Sequence, residues 1–180
     1  MAVVTIKDEL DIETYIKALV ATMPEIKAVK YVDVDADLEE MVKDYFTNHY
    51  KGTVLFWGNF EEKLSVRNSL SWSTPQLQAT ILAKYDKMKP GDLLAIRTAT
   101  KKMMLRFIHK IKADQEDTEQ ESHLSPPAPG GGGYWGAGDS GKHWSFKLHN
   151  DLILPVGDIK DAGTRGWSID FEIGFPVTEE

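Results

Sequence analysis

Gly166-Trp167-Ser168-Ile169-Asp170-Phe171-Glu172-Ile173-Gly174-Phe175-Pro176 reads as a β-strand with two unlike faces. Trp167, Ile169, Phe171, Ile173 and Phe175 fall on one side, and Ser168, Asp170, Glu172 and Gly174 fall on the other. Successive strand side chains point to opposite faces, so strict alternation predicts one face packed on the core and one left open. The apolar set is therefore expected to form the core side of the strand. Asp170 and Glu172 are expected on a solvent-facing or cavity-facing side.

The segments upstream supply what such a strand can pack against. Ile12, Ile16, Leu19, Val20 and Met23 recur at helical spacing, which predicts a helix over 11–23 with Asp11 as its N-cap and Pro24 as its stop. Val29 and Tyr31 alternate with lysines in a short strand at 27–34. Asp37 can cap a second helix whose apolar face holds Leu38, Met41, Val42, Tyr45 and Phe46. A β-branched and aromatic run at 53–57 predicts a buried strand, and 76–85 alternates with Leu77, Ala79, Ile81, Ala83 and Tyr85 on one side. Pro90-Gly91-Asp92 then opens the longest helix, expected over 92–112 with a stripe of Leu93, Ile96, Thr100, Met103, Phe107, Ile108 and Ile111. Lys101, Lys102, Arg106 and Lys110 cluster on it and read as its solvated face.

Residues 113–142 differ in kind. An acidic run (Asp114, Glu116, Asp117, Glu119, Glu121) leads through Pro126-Pro127-Ala128-Pro129 into four glycines. So little apolar surface cannot offset ordering entropy, which predicts a long mobile loop. Tyr134 and Trp135 inside it are expected to order against a partner. Alternation returns at 143–149, with Trp144, Phe146 and Leu148 opposite His143, Ser145, Lys147 and His149. The whole predicts a single α+β domain over 1–180: a mixed, mainly antiparallel sheet packed against two or three helices. The Pro/Gly-rich acidic loop is inserted before the C-terminal strands.

Composition bounds the function. At 180 residues the chain can bury one continuous core, and its 42% hydrophobic and 27% charged residues are ordinary for a globular protein. No apolar run approaches the roughly 20 residues of a membrane-spanning helix. The N-terminal residues lack a basic segment followed by an apolar stretch, so no signal peptide is expected. The absence of cysteine excludes disulfides and thiolate metal sites and fits a reducing cytoplasm. A net charge of −7 argues against binding duplex DNA through a broad basic face.

Three patterns suggest chemistry. Gly136-Ala137-Gly138-Asp139-Ser140-Gly141-Lys142-His143 nearly spells a phosphate-cradling loop, which needs a strand before it, a helix after it and a hydroxyl for magnesium. Here a Pro/Gly linker precedes, a strand pattern follows, and His143 takes the hydroxyl position. Gly138-Asp139-Ser140-Gly141 is similar to a serine-protease nucleophile loop, but the chain is too short and too helical for the matching double barrel. His143 and His149 share a strand face, yet strand rise separates them by ~20 Å, too far for one ion. His109 and His49 have no evident carboxylate partner. No catalytic residue, metal site or cofactor is therefore expected.

The order of elements, with the stretch Asp161-Ala162-Gly163-Thr164-Arg165-Gly166-Trp167 running on to Pro176, resembles tail terminator proteins, the tail-tube capping or neck proteins of long-tailed bacteriophages and related contractile systems. The resemblance implies a non-enzymatic virion structural protein that assembles in the host cytoplasm as a ring, usually of about six copies. Such a ring caps the tail tube and joins it to the head-side connector. Its partners would be itself, the tube and the connector, with DNA only as passing cargo and no membrane. In that frame Asp170 and Glu172 would face the bore or solvent, discouraging DNA from sticking. Tyr134 and Trp135 would contact a neighbouring ring or tube. The alternatives are a small binding or adaptor module, or an enzyme using the 136–143 loop for phosphate.

Overall fold

Asp8 starts the first helix, α1 (Glu9–Ala21): its carboxylate accepts from the Asp11 N–H at 2.8 Å, while the Asp11 carboxylate accepts from the Lys7 N–H at 2.9 Å. Two amide donors without helical partners are satisfied in this reciprocal way. The cap therefore lies three positions before the expected Asp11, and Asp11 closes the box from inside the helix. The structure, a computed structural model, describes residues 6–33, 38–48, 52–67, 70–124, 144–149 and 152–177. Strand β1 (Ile26–Tyr31) follows, then α2 (Leu38–Asn48), whose expected cap Asp37 lies outside the described residues.

β2 (Thr53–Arg67) and β3 (Leu70–Lys84) form a long hairpin, far longer than the apolar run at 53–57 suggests. Beyond Trp57 the chain reads Gly-Asn-Phe-Glu-Glu-Lys, without the alternation of a half-buried strand; cross-strand pairing to β3 holds it instead. A register shift between Asn59 and Glu61 inserts Phe60 as an extra residue. Pro75 sits in β3 although it cannot donate to a ladder. The pairs between β3 and the last strand, β6 (Thr164–Val177), pass from Ser73↔Phe175 to Gln76↔Glu172 and so skip it.

α3 (Asp92–Leu124) runs twelve residues past the expected end at Lys112. The acidic segment expected as loop is rich in Glu and Gln and lacks Gly and Pro, so nothing local breaks the helix before Pro126. The expected Leu93 is substantially exposed, while Met104, not expected on the stripe, is fully buried beside Phe107, Ile108 and Ile111. Two short strands, β4 (Ser145–Leu148) and β5 (Leu154–Val156), each pair antiparallel with β6. β5 has no counterpart among the expected strands; Leu-Pro-Val is too short to carry a period.

The sheet order is β1-β2-β3-β6-β4, with β5 also on β6; only β1 and β2 run parallel. This is the mixed, mainly antiparallel α+β arrangement expected. α1 and α3 cover one face, where Leu55, Trp57, Leu77, Ala79 and Ile81 meet all five expected apolar residues of β6. Burying those five contributes on the order of 10 kcal/mol gross. Tyr15 ties the two helices by donating its phenol proton to Asp114 at 2.8 Å. Burial, then the Asp114 hydrogen bond and charge, push that phenol well above its ordinary range, so it stays protonated. On the opposite face α2 packs Val42 and Phe46 onto Val32, Val54, Phe56 and Leu82.

β6 is thus more buried than its pattern implies: its N-terminal half is covered on both faces. Trp167 donates from Nε1 to the Arg97 carbonyl of α3 at 2.8 Å, and Arg97 and Lys101 lie over its ring. Gly166 passes so close to β3 that a Cβ would lie 1.8 Å from the Ile81 carbonyl oxygen. The turn leading into β6 depends on Asp158, whose carboxylate accepts from the Gly163 and Thr164 N–H groups at 2.7 and 3.0 Å and pairs with Lys87. Burial alone would raise its pKa; the Thr164 N–H, Lys87 and the Gly163 N–H together hold it below the usual carboxylate range.

Gly166→Ala is expected to lower the free energy of unfolding by about 3 kcal/mol, read from denaturant titration, because a backbone carbonyl cannot yield as a side-chain tip can. Asp158 is ionised more readily folded than unfolded, so its stabilisation is full above an unfolded pKa near ~4 and is lost as pH falls through the lower folded value. Melting of the wild type should therefore drop more steeply below about pH 4 than melting of Asp158→Asn, which starts lower at neutral pH.

Candidate functional site

α2 covers only part of the outer sheet face, and the remainder is built from side chains directly opposite one another on β3 and β6. Their register sets Thr80 against Ser168, Gln78 against Asp170 and Gln76 against Glu172. Each pair is hydrogen-bonded: the two hydroxyls lie 2.9 Å apart, Gln78 donates to Asp170 at 2.9 Å, and Gln76 donates to Glu172 at 3.4 Å. The Thr80–Ser168 rung is buried, Asp170 in the middle rung is exposed, and Glu172 in the third is half-buried. Backbone alternation explains the composition, and cross-strand registry explains the pairing.

Neighbouring strands extend this polar face. Lys63 of β2 reaches Glu172 at 3.9 Å, and Lys147 of β4 is paired in register with it. His149 places Nε2 at 2.9 Å from Glu172 without the alignment of a hydrogen bond, so the contact is an ion pair only when the imidazole is protonated. Glu172 is therefore a half-buried hub, and Asp170 is the rung that remains open to solvent. Both expected acidic residues do lie on the face opposite the core, and the expected core set Trp167, Ile169, Phe171, Ile173 and Phe175 is buried.

The hairpin carries a second feature that pattern reading missed. Past the bulge, Phe60 and Leu64 are 52% and 76% exposed. An apolar residue among Glu and Lys offers no local sign of whether it is covered, so only the tertiary packing reveals this. Elsewhere, Lys101, Lys102 and Arg106 are exposed on α3 as expected, with Arg106 paired to Glu25 at 2.6 Å. Tyr134, Trp135 and the 136–143 loop with His143 lie outside the described residues, as does His49. Among the described residues no group of three or more His, Asp or Glu is placed to hold a metal ion, and no helix is long and apolar enough to cross a membrane.

Compared with known proteins, the chain matches no protein-family model, and no curated protein matches it significantly.

The innermost rung can be checked by a double-mutant cycle. Ser168→Ala strands the buried Thr80 hydroxyl and is expected to cost about 1–2 kcal/mol in denaturant titration. Replacing both partners, Thr80→Val with Ser168→Ala, should cost less than Ser168→Ala alone, because no buried polar group is then left unpaired.

Proposed function

We propose that the chain is a non-enzymatic assembly subunit, a tail terminator or neck component that rings the end of a phage-type tail tube and joins it to the head-side connector. The observation that carries this reading is the β2–β3 hairpin, which presents Phe60 and Leu64 to solvent on strands of fifteen residues each. Large apolar side chains left exposed on a hairpin are suited to packing on another subunit. The sheet edges are less suited to that role. β1 carries the exposed Lys27 and Lys30, and β5 contains Pro155, devices that discourage edge-to-edge strand pairing. Subunit contact through the hairpin leaves the polar ladder free to face a bore, with Asp170 as its exposed carboxylate repelling passing DNA. In the same reading the segment with Tyr134 and Trp135 meets the tube or a neighbouring ring, and the protein resides in the virion.

A pocket between α1 and strands β1, β2 and β3 favours a second reading, a small binding module, in which the hairpin need not mediate assembly. Sedimentation velocity and electron microscopy, on the chain alone and mixed with candidate tail-tube protein, separate the two. A subunit that rings only on its tube stays monomeric by itself, so the mixture is the decisive arm. Phe60→Ser with Leu64→Ser is expected to abolish ring formation while leaving the melting temperature within a few degrees, since both side chains are exposed. Rings from the double variant indistinguishable from wild type, or no rings under any condition, would overturn the proposal.

A further inference from the structure

The first turns of α1 and strands β1, β2 and β3 enclose a pocket of about 360 Å³. Its size falls in the range of small-ligand sites. Ile12, Trp57 and Leu77 are its buried apolar lining, and Glu9, Leu10 and Tyr31 are exposed around it. Tyr31 stands edge-on to the Trp57 ring at 4.8 Å between centroids.

We propose that this pocket binds an organic cation, an ammonium or guanidinium group carried on an apolar stem. The pocket shares β2 and β3 with the hairpin, but the inference does not rest on the assembly reading. Glu9 and Glu13 line the pocket together, and Asp33 adds to their field. Burial, then the charges of Glu9, Asp33 and Glu13, hold the Tyr31 phenol above its ordinary range. That carboxylate field opposes an anion and favours a cation. Lys17 pairs with Glu13 on the exposed side of α1 and offsets only part of it.

The lining also orients one of these carboxylates. Asn59 donates through Nδ2 to Glu9 at 2.6 Å, fixing one carboxylate oxygen beside the pocket. A guanidinium or ammonium donates hydrogen bonds to carboxylates of this kind. Aromatic rings add attraction for a cation over their faces, and the apolar lining accommodates its methylenes. The same head group could belong to a free amine or to an arginine side chain of another protein.

Two probes distinguish these sources: agmatine, and a capped Gly-Arg-Gly tripeptide. Each is titrated into the ¹⁵N-labelled chain while the Trp57 indole N–H signal is followed, its assignment made with Trp57→Phe. Saturable shifts are expected for at least one probe and none for butylurea, which has a similar stem without charge. Glu9→Gln with Glu13→Gln should weaken binding about tenfold or more with melting unchanged, since the glutamine amide oxygen still offers Asn59 an acceptor. Tighter binding of the tripeptide assigns the site to a protein side chain; tighter or equal binding of agmatine assigns it to a free cation. No saturable shift with either probe overturns the proposal, as does undiminished affinity in the double glutamine variant.

Discussion

The approach of β6 to β3 at Gly166 and Ile81 is the constraint on which the rest of the architecture depends. Without a side chain at 166, the two backbones close, and Trp167 can stand upright against α3 with its indole N–H on the Arg97 carbonyl. That contact sets the height of the long helix over the sheet. From there Phe107 meets Phe171 edge-on, and the C-terminal part of α3 comes within reach of Tyr15 on α1. A bulkier residue at 166 would displace the last strand from the centre of the sheet and loosen each of these contacts.

Placing β6 inside the sheet, between β3 and the short strands β4 and β5, has a second consequence. A central strand needs partners on both edges and cover on both faces, yet its outward residues are Ser168, Asp170 and Glu172. The fold meets this by grading the outer face. Ser168 is covered and satisfied by Thr80, Glu172 is half covered and held by Gln76 and Lys63, and Asp170 reaches solvent while bonded to Gln78. Buried polar groups are costly unless paired, so the ladder allows a strand with an acidic face to occupy the middle of a sheet.

The features suited to recognition lie away from this braced centre. The hairpin of β2 and β3 leaves Phe60 and Leu64 exposed, and the pocket opens where the first turns of α1 lie over β1, β2 and β3. Both belong to β2, whose inner half is among the most buried segments of the molecule. The core thus anchors the strand that presents Phe60 and Leu64 to a partner and contributes Trp57 and Asn59 to the pocket. Rigid support of this kind lowers the ordering cost of binding.

Local periodicity alone determined the segments whose side chains obey one rule from end to end. The apolar faces of α1 and α2, the inner residues of β3 and the two-faced character of β6 were all legible because burial there follows the repeat of the backbone. The α+β class followed from their order. Tertiary structure decided what has no local signature. The Glu- and Gln-rich segment after Lys112 could be loop or helix by composition, and it continues α3. The segment from Gly58 to Arg67 lacks alternation and becomes strand only because β3 lies beside it. Pairing of Gln78 with Asp170 requires residues far apart in the chain to come into register, and the pocket requires the start of α1 to lie over three strands. The strand from Gly166 to Pro176 shows both sides of this division. Its alternation assigned each residue a face, but only the strands and helices around it decided that Ser168 is buried, Glu172 is bridged and Asp170 is left to meet whatever lies outside.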